Sequence, residues 1–199
     1  GHGLWEYTPH IPAQLCEFLW RGIVANSPNT APNGRHLVSF PSELAPPDQE
    51  YPAVVIIRVL NGPNLNLLGR REPALYGQRS LQEIMQELGQ FAQSCGVELD
   101  HMQTNSEGEM VDAIQQAGTD EVDYIIINPA GYTHTSVAMR DALLAVEVPF
   151  VEVHLSAVSS REPFRQITYF SDIAIGVISG FRGEGYLLAL QAILNRIEP

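Results

Sequence analysis

Lysine is missing altogether: the eleven basic residues among 199 are all arginines, so no lysine Schiff base and no phosphate loop built on a lysine can operate in this chain. Cysteine is nearly missing. Cys16 and Cys95 have no paired spacing, which points to reduced thiols in a cytoplasmic protein rather than a disulfide framework or a zinc site. Positive charge is scarce, with 11 basic against 23 acidic residues and a formal net charge of −12. Such a surface offers no patch for gripping phosphate backbones and no polybasic anchor, so neither nucleic acid nor a membrane is expected as a partner. No apolar run approaches the ~18 residues that would span a bilayer, and no secretory signal peptide is legible.

Proline is plentiful but unevenly placed. Eight of the fourteen fall in residues 1 to 52, among scattered apolar residues and turn formers such as Ser27-Pro28-Asn29. This stretch reads as an N-terminal extension rather than a domain: a tail, a start-site artefact, or a segment that docks through Trp5, Phe18 and Trp20. Gly1-His2 reads as a cleavage scar and is set aside. From Ala53 onward the pattern is regular. Apolar strands are expected at Val54–Leu60, Val97–Gln103, Val122–Asn128, Pro149–Leu155 and Ile173–Ile178. Helices are expected from Ser80 to about Ser94, with Ser80 and Glu83 as a capping box, then Glu107–Gln116, Ser136–Ala145 and Gly183 to about Ile197. The last would bury Leu187, Leu188, Leu190 and Ile193 on one side. Strands apolar almost throughout, alternating with amphipathic helices, predict a doubly wound α/β fold with a parallel sheet covered on both faces.

In such sheets ligands bind beyond the carboxyl ends of the strands. The segments there are dense in polar groups: Asn61 to Asn64, Gln103 to Asn105, Asn128 to Ser136, and His154 to Ser156. None contains GxGxxG, GxSxG or CxxC, which removes the usual dinucleotide, serine-hydrolase and redox chemistries. The loop Asn61 to Gly77 is seventeen residues long, the length of a functional lid, and carries Arg70, Arg71 and Tyr76. A guanidinium beside a phenol favours the phenolate: at an effective dielectric near 20, two charges ~4 Å apart interact by about 4 kcal/mol, roughly three pKa units. The plainer alternative is a tyrosine that caps the sheet edge. Glu152 and His154 alternate with Val153 on a strand and point to one side, so the carboxylate can orient the imidazole for proton delivery. A structural histidine, or a metal site with His134 and Asp141 as further ligands, are the alternatives. Thr133 or Thr135 could cap the following helix; Arg161 and Arg165, four apart, share a face if their stretch is helical.

Three ordered motifs carry a family resemblance: NGPNLNLLG-x-REP-x-x-YG, INPAGYTHTS-x-A-x-RDA, and P-F-x-EVHLS followed by RE-x-F-R. Residues ~53 to 199 resemble type II 3-dehydroquinate dehydratase. The resemblance implies a flavodoxin-like five-stranded parallel sheet and dehydration of 3-dehydroquinate to 3-dehydroshikimate through an enolate, with neither metal nor organic cofactor. By motif, Tyr76 is the base, Arg71 supports it electrostatically, His154 is the acid, Glu152 orients His154, and Asn64 holds a water near the enolate oxygen. Asn128, His134, Arg161, Arg165 and the backbone of Leu155 and Ser156 would bind the substrate. Asp141 would reach in from a neighbouring subunit of a homododecamer. If one helix carried both His134 and Asp141 they would lie ~10.5 Å apart, too far to meet on one small ring. Two departures stand out: Ala157 where the family usually has Asn, and Gly180-Phe181-Arg182-Gly183 in place of a more glycine-rich turn. Rival readings are the same reaction in quinate breakdown, and a non-catalytic flavodoxin-like module that holds a small anion.

Overall fold

The structure, a computed structural model, describes residues 54–70 and 76–197. The expectations placed on residues 1 to 52, on Arg71 and on Cys16 lie outside the described residues. Five strands form one parallel sheet: β1 (Ile56–Asn61), β2 (Glu98–Gln103), β3 (Tyr124–Asn128), β4 (Phe150–His154) and β5 (Gly176–Ser179), in the order β2-β1-β3-β4-β5. This is the flavodoxin-like order, and its reversal point falls between β1 and β3.

Among the described residues four helices cover the sheet: α1 (Leu81–Ser94), α2 (Glu107–Thr119), α3 (Val137–Val146) and α4 (Glu184–Ile197). Alternate strand residues feed two cores. Ile57, Val59, Ile126, Val151 and Val153 meet α1 and α4 through Ile84, Leu88, Ala189, Leu190 and Ile193. Leu60, Ile125, Ile127 and Phe150 meet α2 and α3 through Met110, Ile114, Met139 and Leu143. At ~25 cal/mol per Å² of apolar surface removed from water, these two layers are what hold the helices on the sheet.

Most boundaries follow the expected ones. Ser80 and Glu83 form the capping box: the Ser80 hydroxyl accepts from the Glu83 N–H, while the Glu83 carboxylate accepts from the Ser80 N–H at 2.7 Å. That backbone donor, then the Ser80 hydroxyl, hold the Glu83 carboxyl below its ordinary value. Four expectations are corrected. The cap of α3 is Ser136, whose hydroxyl accepts from the Met139 N–H at 3.0 Å, and neither Thr133 nor Thr135. Leu188 is exposed; Tyr186 and Ala189 take the buried face of α4 instead. The run from Ile173 is a turn closed on the Phe170 carbonyl, and strand pairing begins later. His134 and Asp141 do not share a helix, since His134 ends a 3-10 turn (Ala130–His134) before α3 starts.

Candidate active site

The loops after β1, β3 and β4 converge on a cleft of about 170 Å³ at the carboxyl end of the sheet. Asn64, Tyr76, Asn128, His134, His154, Leu155, Ser156, Arg161 and Arg165 all line it. Glu152 sits behind His154 with no exposed surface. Asp141 is exposed on α3 and does not line the cleft. Arg70 is also exposed and outside it.

The loop after β1 lies unusually close to the loop after β3. The Gly62 N–H donates to the Asn128 carbonyl at 2.8 Å, and a Cβ on Gly62 would stand 2.5 Å from the Pro129 carbonyl oxygen, so only glycine fits. Asn64 then turns through a left-handed conformation (φ 67°), with its N–H held by Asn105 Oδ1 at 2.9 Å. The Gln103 amide donates to the same oxygen at 3.1 Å and to the Gly62 carbonyl at 3.2 Å. Asn105 thus fixes the peptide that presents Asn64.

Tyr76 closes the other side of the loop. Its phenol oxygen accepts from Arg161 Nη1 at 2.7 Å, and the guanidinium lies 6.0 Å from the ring centroid. A guanidinium N–H aimed at a phenol oxygen stabilises negative charge there. Arg161 also reaches Ser156 Oγ at 3.4 Å. Arg71, the expected cation, lies outside the described residues, and Arg70 is exposed away from the cleft; Arg161, 85 positions from Tyr76, is a further cation on the phenol. Arg161 and Arg165 do not share a helix: Arg161 follows one short 3-10 turn (Val158–Ser160) in an extended conformation and Arg165 ends the next (Pro163–Arg165), with Glu162 between them, which accepts from Arg165 Nε at 3.0 Å and lies 3.4 Å from Arg161 Nε. The Glu162 backbone N–H, followed by these two guanidiniums, holds the Glu162 carboxyl below its usual range.

The end of β4 carries the second group. Glu152 Oε1 meets His154 Nε2 at 2.8 Å and Thr133 Oγ1 at 2.5 Å; Oε2 accepts from Ser171 Oγ at 2.6 Å. Burial opposes the charged carboxylate, but the His154, Ser171 and Thr133 donors outweigh it and leave the Glu152 carboxyl below its ordinary value. A carboxylate can only accept, so His154 Nε2 carries a hydrogen and Nδ1 is the nitrogen left for the cleft. His134 is oriented the other way round: its Nδ1 faces the Ile167 carbonyl at 2.6 Å, which leaves Nε2 for a ligand. Among the described residues no group of three or more His, Cys, Asp or Glu is placed to hold a metal ion.

The loop behind Ser156 shows how the two departures are accommodated. Ser179 Oγ donates to the Ser156 carbonyl at 3.0 Å and accepts from the Val158 N–H at 3.3 Å, clamping both sides of Ala157. Arg182 adopts φ 51°, a conformation that favours glycine, and its N–H donates to the Leu155 carbonyl at 2.9 Å.

The cleft has features the sequence reading did not assign: Arg161 on the phenol, Thr133 and Ser171 on Glu152, Asn105 behind Asn64, and Tyr186 beneath Asn128. Gln103 to Asn105 stood out as a polar strand end, which was a usable signal. Ser171 and Tyr186 had none, because each comes from an element far from the motifs.

Known proteins resemble this chain in sequence and in fold. Residues 55–194 match the family model described as dehydroquinase class II. The chain is 59% identical over 142 residues to a 3-dehydroquinate dehydratase of Legionella pneumophila (strain Corby), covering 71% of this chain and 98% of that one. It is 57% identical over 139 residues to the protein of that name from Stutzerimonas stutzeri (strain A1501), covering 70% and 95%. Among solved structures, the type II dehydroquinase from Butyrivibrio crossotus superposes with a TM-score of 0.69 at 39% identity, over 71% of this chain and 98% of that one. The Propionibacterium acnes type II dehydroquinase gives 0.68 at 38%, over 70% and 96%. With the fold and most of its length in agreement, the chain belongs to the class II dehydroquinase family.

Proposed function

We propose that this chain removes water from 3-dehydroquinate to give 3-dehydroshikimate, through an enolate and without a metal or organic cofactor. The observation that carries this reading is the pairing, in one small cleft, of a phenol held by a guanidinium with an imidazole held by a buried carboxylate. Dehydration next to a ketone needs a base for the C–H proton and an acid for the departing hydroxyl. Tyr76 takes the C2 proton, with Arg161 at its oxygen and Arg71 assigned the same electrostatic task by motif. His154, doubly protonated and ion-paired with Glu152 through Nε2, gives its Nδ1 proton to the C1 hydroxyl, which leaves as water with the C–O bonding pair, and the ring is left neutral. Asn64 holds a water at the developing enolate oxygen, where a fixed donor lowers the barrier most. Asn128, His134, Arg165 and the Leu155 and Ser156 backbone bind the ring and its carboxylate. In a protein of net charge −12, local guanidiniums must supply the attraction for an anionic substrate.

Assembly is part of the reading. Asp141 shares the exposed face of α3 with Val137 and Leu144, and Phe164 and Ile167 are exposed close to Arg165. Apolar surface of this kind fits contact with further copies, through which Asp141 would complete a neighbour's site in a homododecamer. Light scattering should then report roughly 264 kDa for twelve chains of 22.0 kDa. No helix among the described residues is long and apolar enough to cross a membrane. A cytoplasmic enzyme of aromatic amino acid biosynthesis is the expected setting, with quinate breakdown as the second role for the same chemistry. The deciding experiment is absorbance of the conjugated enone product formed from 3-dehydroquinate by the purified protein. No product at any enzyme concentration overturns the proposal. Borohydride added during turnover should trap no adduct, because the chain has no lysine to form an imine.

A further inference from the structure

At the floor of the cleft, Asn61 and Asn128 end β1 and β3 as register partners, at the point where the strand order reverses. Both follow the alternation of Ile57, Val59 and Ile126, so they face the α1 and α4 side of the sheet, where Tyr186 of α4 is fully buried. The Tyr186 hydroxyl donates to Asn61 Oδ1 at 2.6 Å and accepts from Asn128 Nδ2 at 2.9 Å. Asn61 Nδ2 donates to the Met102 carbonyl at 3.0 Å, and Asn128 Oδ1 accepts from the Ala130 N–H at 3.3 Å.

The polarity of this chain of hydrogen bonds has one solution. The Met102 carbonyl can only accept, so Asn61 must turn its NH₂ towards it and its oxygen towards Tyr186. The Tyr186 proton must then go to Asn61, which leaves the phenol only an acceptor for Asn128. Asn128 must therefore present its NH₂ to Tyr186 and its oxygen to the Ala130 N–H, and the backbone donor at the far end demands the same orientation. Burial pushes the Tyr186 phenol well above its ordinary pKa, so it keeps the proton the relay requires.

We propose that Tyr186 is a positioning residue: acting through Asn128, it fixes which edge of that amide, N–H or oxygen, meets the ligand in the cleft. Without the phenol the Asn128 amide has one orienting contact instead of two, and its presentation to a ligand hydroxyl becomes less defined. The inference rests on the proposed dehydratase activity for its kinetic readout, but the orientation it asserts can be observed without turnover.

The test is Tyr186→Phe, alone and combined with Asn128→Ala. The single variant should raise KM for 3-dehydroquinate about threefold to tenfold, the worth of one hydrogen bond, with kcat within about twofold. In the Asn128→Ala background the same change should leave KM unaltered, since the residue through which Tyr186 acts is gone. An unchanged KM in folded Tyr186→Phe, or an equal KM increase in both backgrounds, overturns the proposal. Should the variant fail to fold, neutron diffraction from crystals of the unaltered protein decides: a Tyr186 deuteron on the Asn61 side supports the relay, and one on the Asn128 side overturns it. A wild-type protein that leaves 3-dehydroquinate unchanged would refute the dehydratase reading, and the neutron result would still judge Tyr186.

Discussion

The two halves of the cleft are built differently. The Glu152–His154 half is part of the sheet: both residues are on β4, both are buried, and the carboxylate is held by donors from Thr133, Ser171 and His154. The Tyr76 half hangs on the long connection from β1 to α1, and its phenol is gripped from outside by Arg161, itself on a loop. An acid must meet one oxygen at a fixed place, which suits a rigid strand end. A base on a connecting segment can be assembled around a bound substrate, which suits a cleft that has to admit and release a ring. The contrast teaches that losses on the β4 side should show up in stability as well as rate, and losses on the Tyr76 side mainly in rate.

Tyr76→Phe sharpens that contrast most. It removes one oxygen and leaves the half-buried ring, so kcat should fall by at least about 10²-fold while thermal midpoint and binding of an unreactive substrate analogue persist. Retention of more than about a tenth of wild-type kcat would remove Tyr76 from the role of base. Arg161→Gln should follow with a smaller loss of rate, because it withdraws the cation from the phenol oxygen but leaves the phenol. Equal rates for Arg161→Gln and wild type would return the electrostatic role to other residues, Arg71 first.

On the rigid side, His154→Ala should lower kcat by about 10²-fold with a lesser effect on analogue affinity. Glu152→Gln should reduce kcat less but also destabilise the fold by about 1–3 kcal/mol at neutral pH, because the Thr133 and Ser171 hydroxyls lose a charged acceptor. The pH dependence has a definite sign. The Glu152 carboxyl is held below its ordinary value of 4.5 in the fold, so its stabilising contribution is present above that pH and is lost as pH falls through the lower folded-state value. Acid unfolding of wild type and Glu152→Gln should therefore converge on acidification. Parallel stability curves across that range would show that the carboxylate is not held by these donors.

The same contrast explains what the sequence made legible. Among the described residues the strands and helices could be placed from apolar runs, alternation and caps, the start of β5 excepted, because a parallel sheet covered on both faces leaves a strong local signal. The β4 dyad was legible for the same reason: period two puts Glu152 and His154 on one side. Contacts between loops were not. Arg161 on Tyr76, Ser171 on Glu152 and Tyr186 under Asn128 each join elements distant in sequence, and no periodicity encodes where a loop crosses another. Leu188 failed for a related reason: its apolar type suggested the core, while the helix turns it to the exposed side of α4.

The smallest effect is expected from the largest change. Deleting residues 1 to 50 should leave kcat and KM within about twofold, since every group assigned to the cleft lies beyond Val54. Two further facts support this. The family match begins at residue 55, and the Legionella relative is 98% covered by a 142-residue alignment, so a chain of that name has no counterpart to most of this extension. The expectation also separates two functions for the tail. If Trp5, Phe18 and Trp20 cover apolar surface, the truncated protein should keep its turnover per folded molecule but lose solubility. If the tail instead completes the cleft, the soluble truncated protein should show a raised KM, and the assignment of the whole reaction to residues beyond Val54 would have to be abandoned.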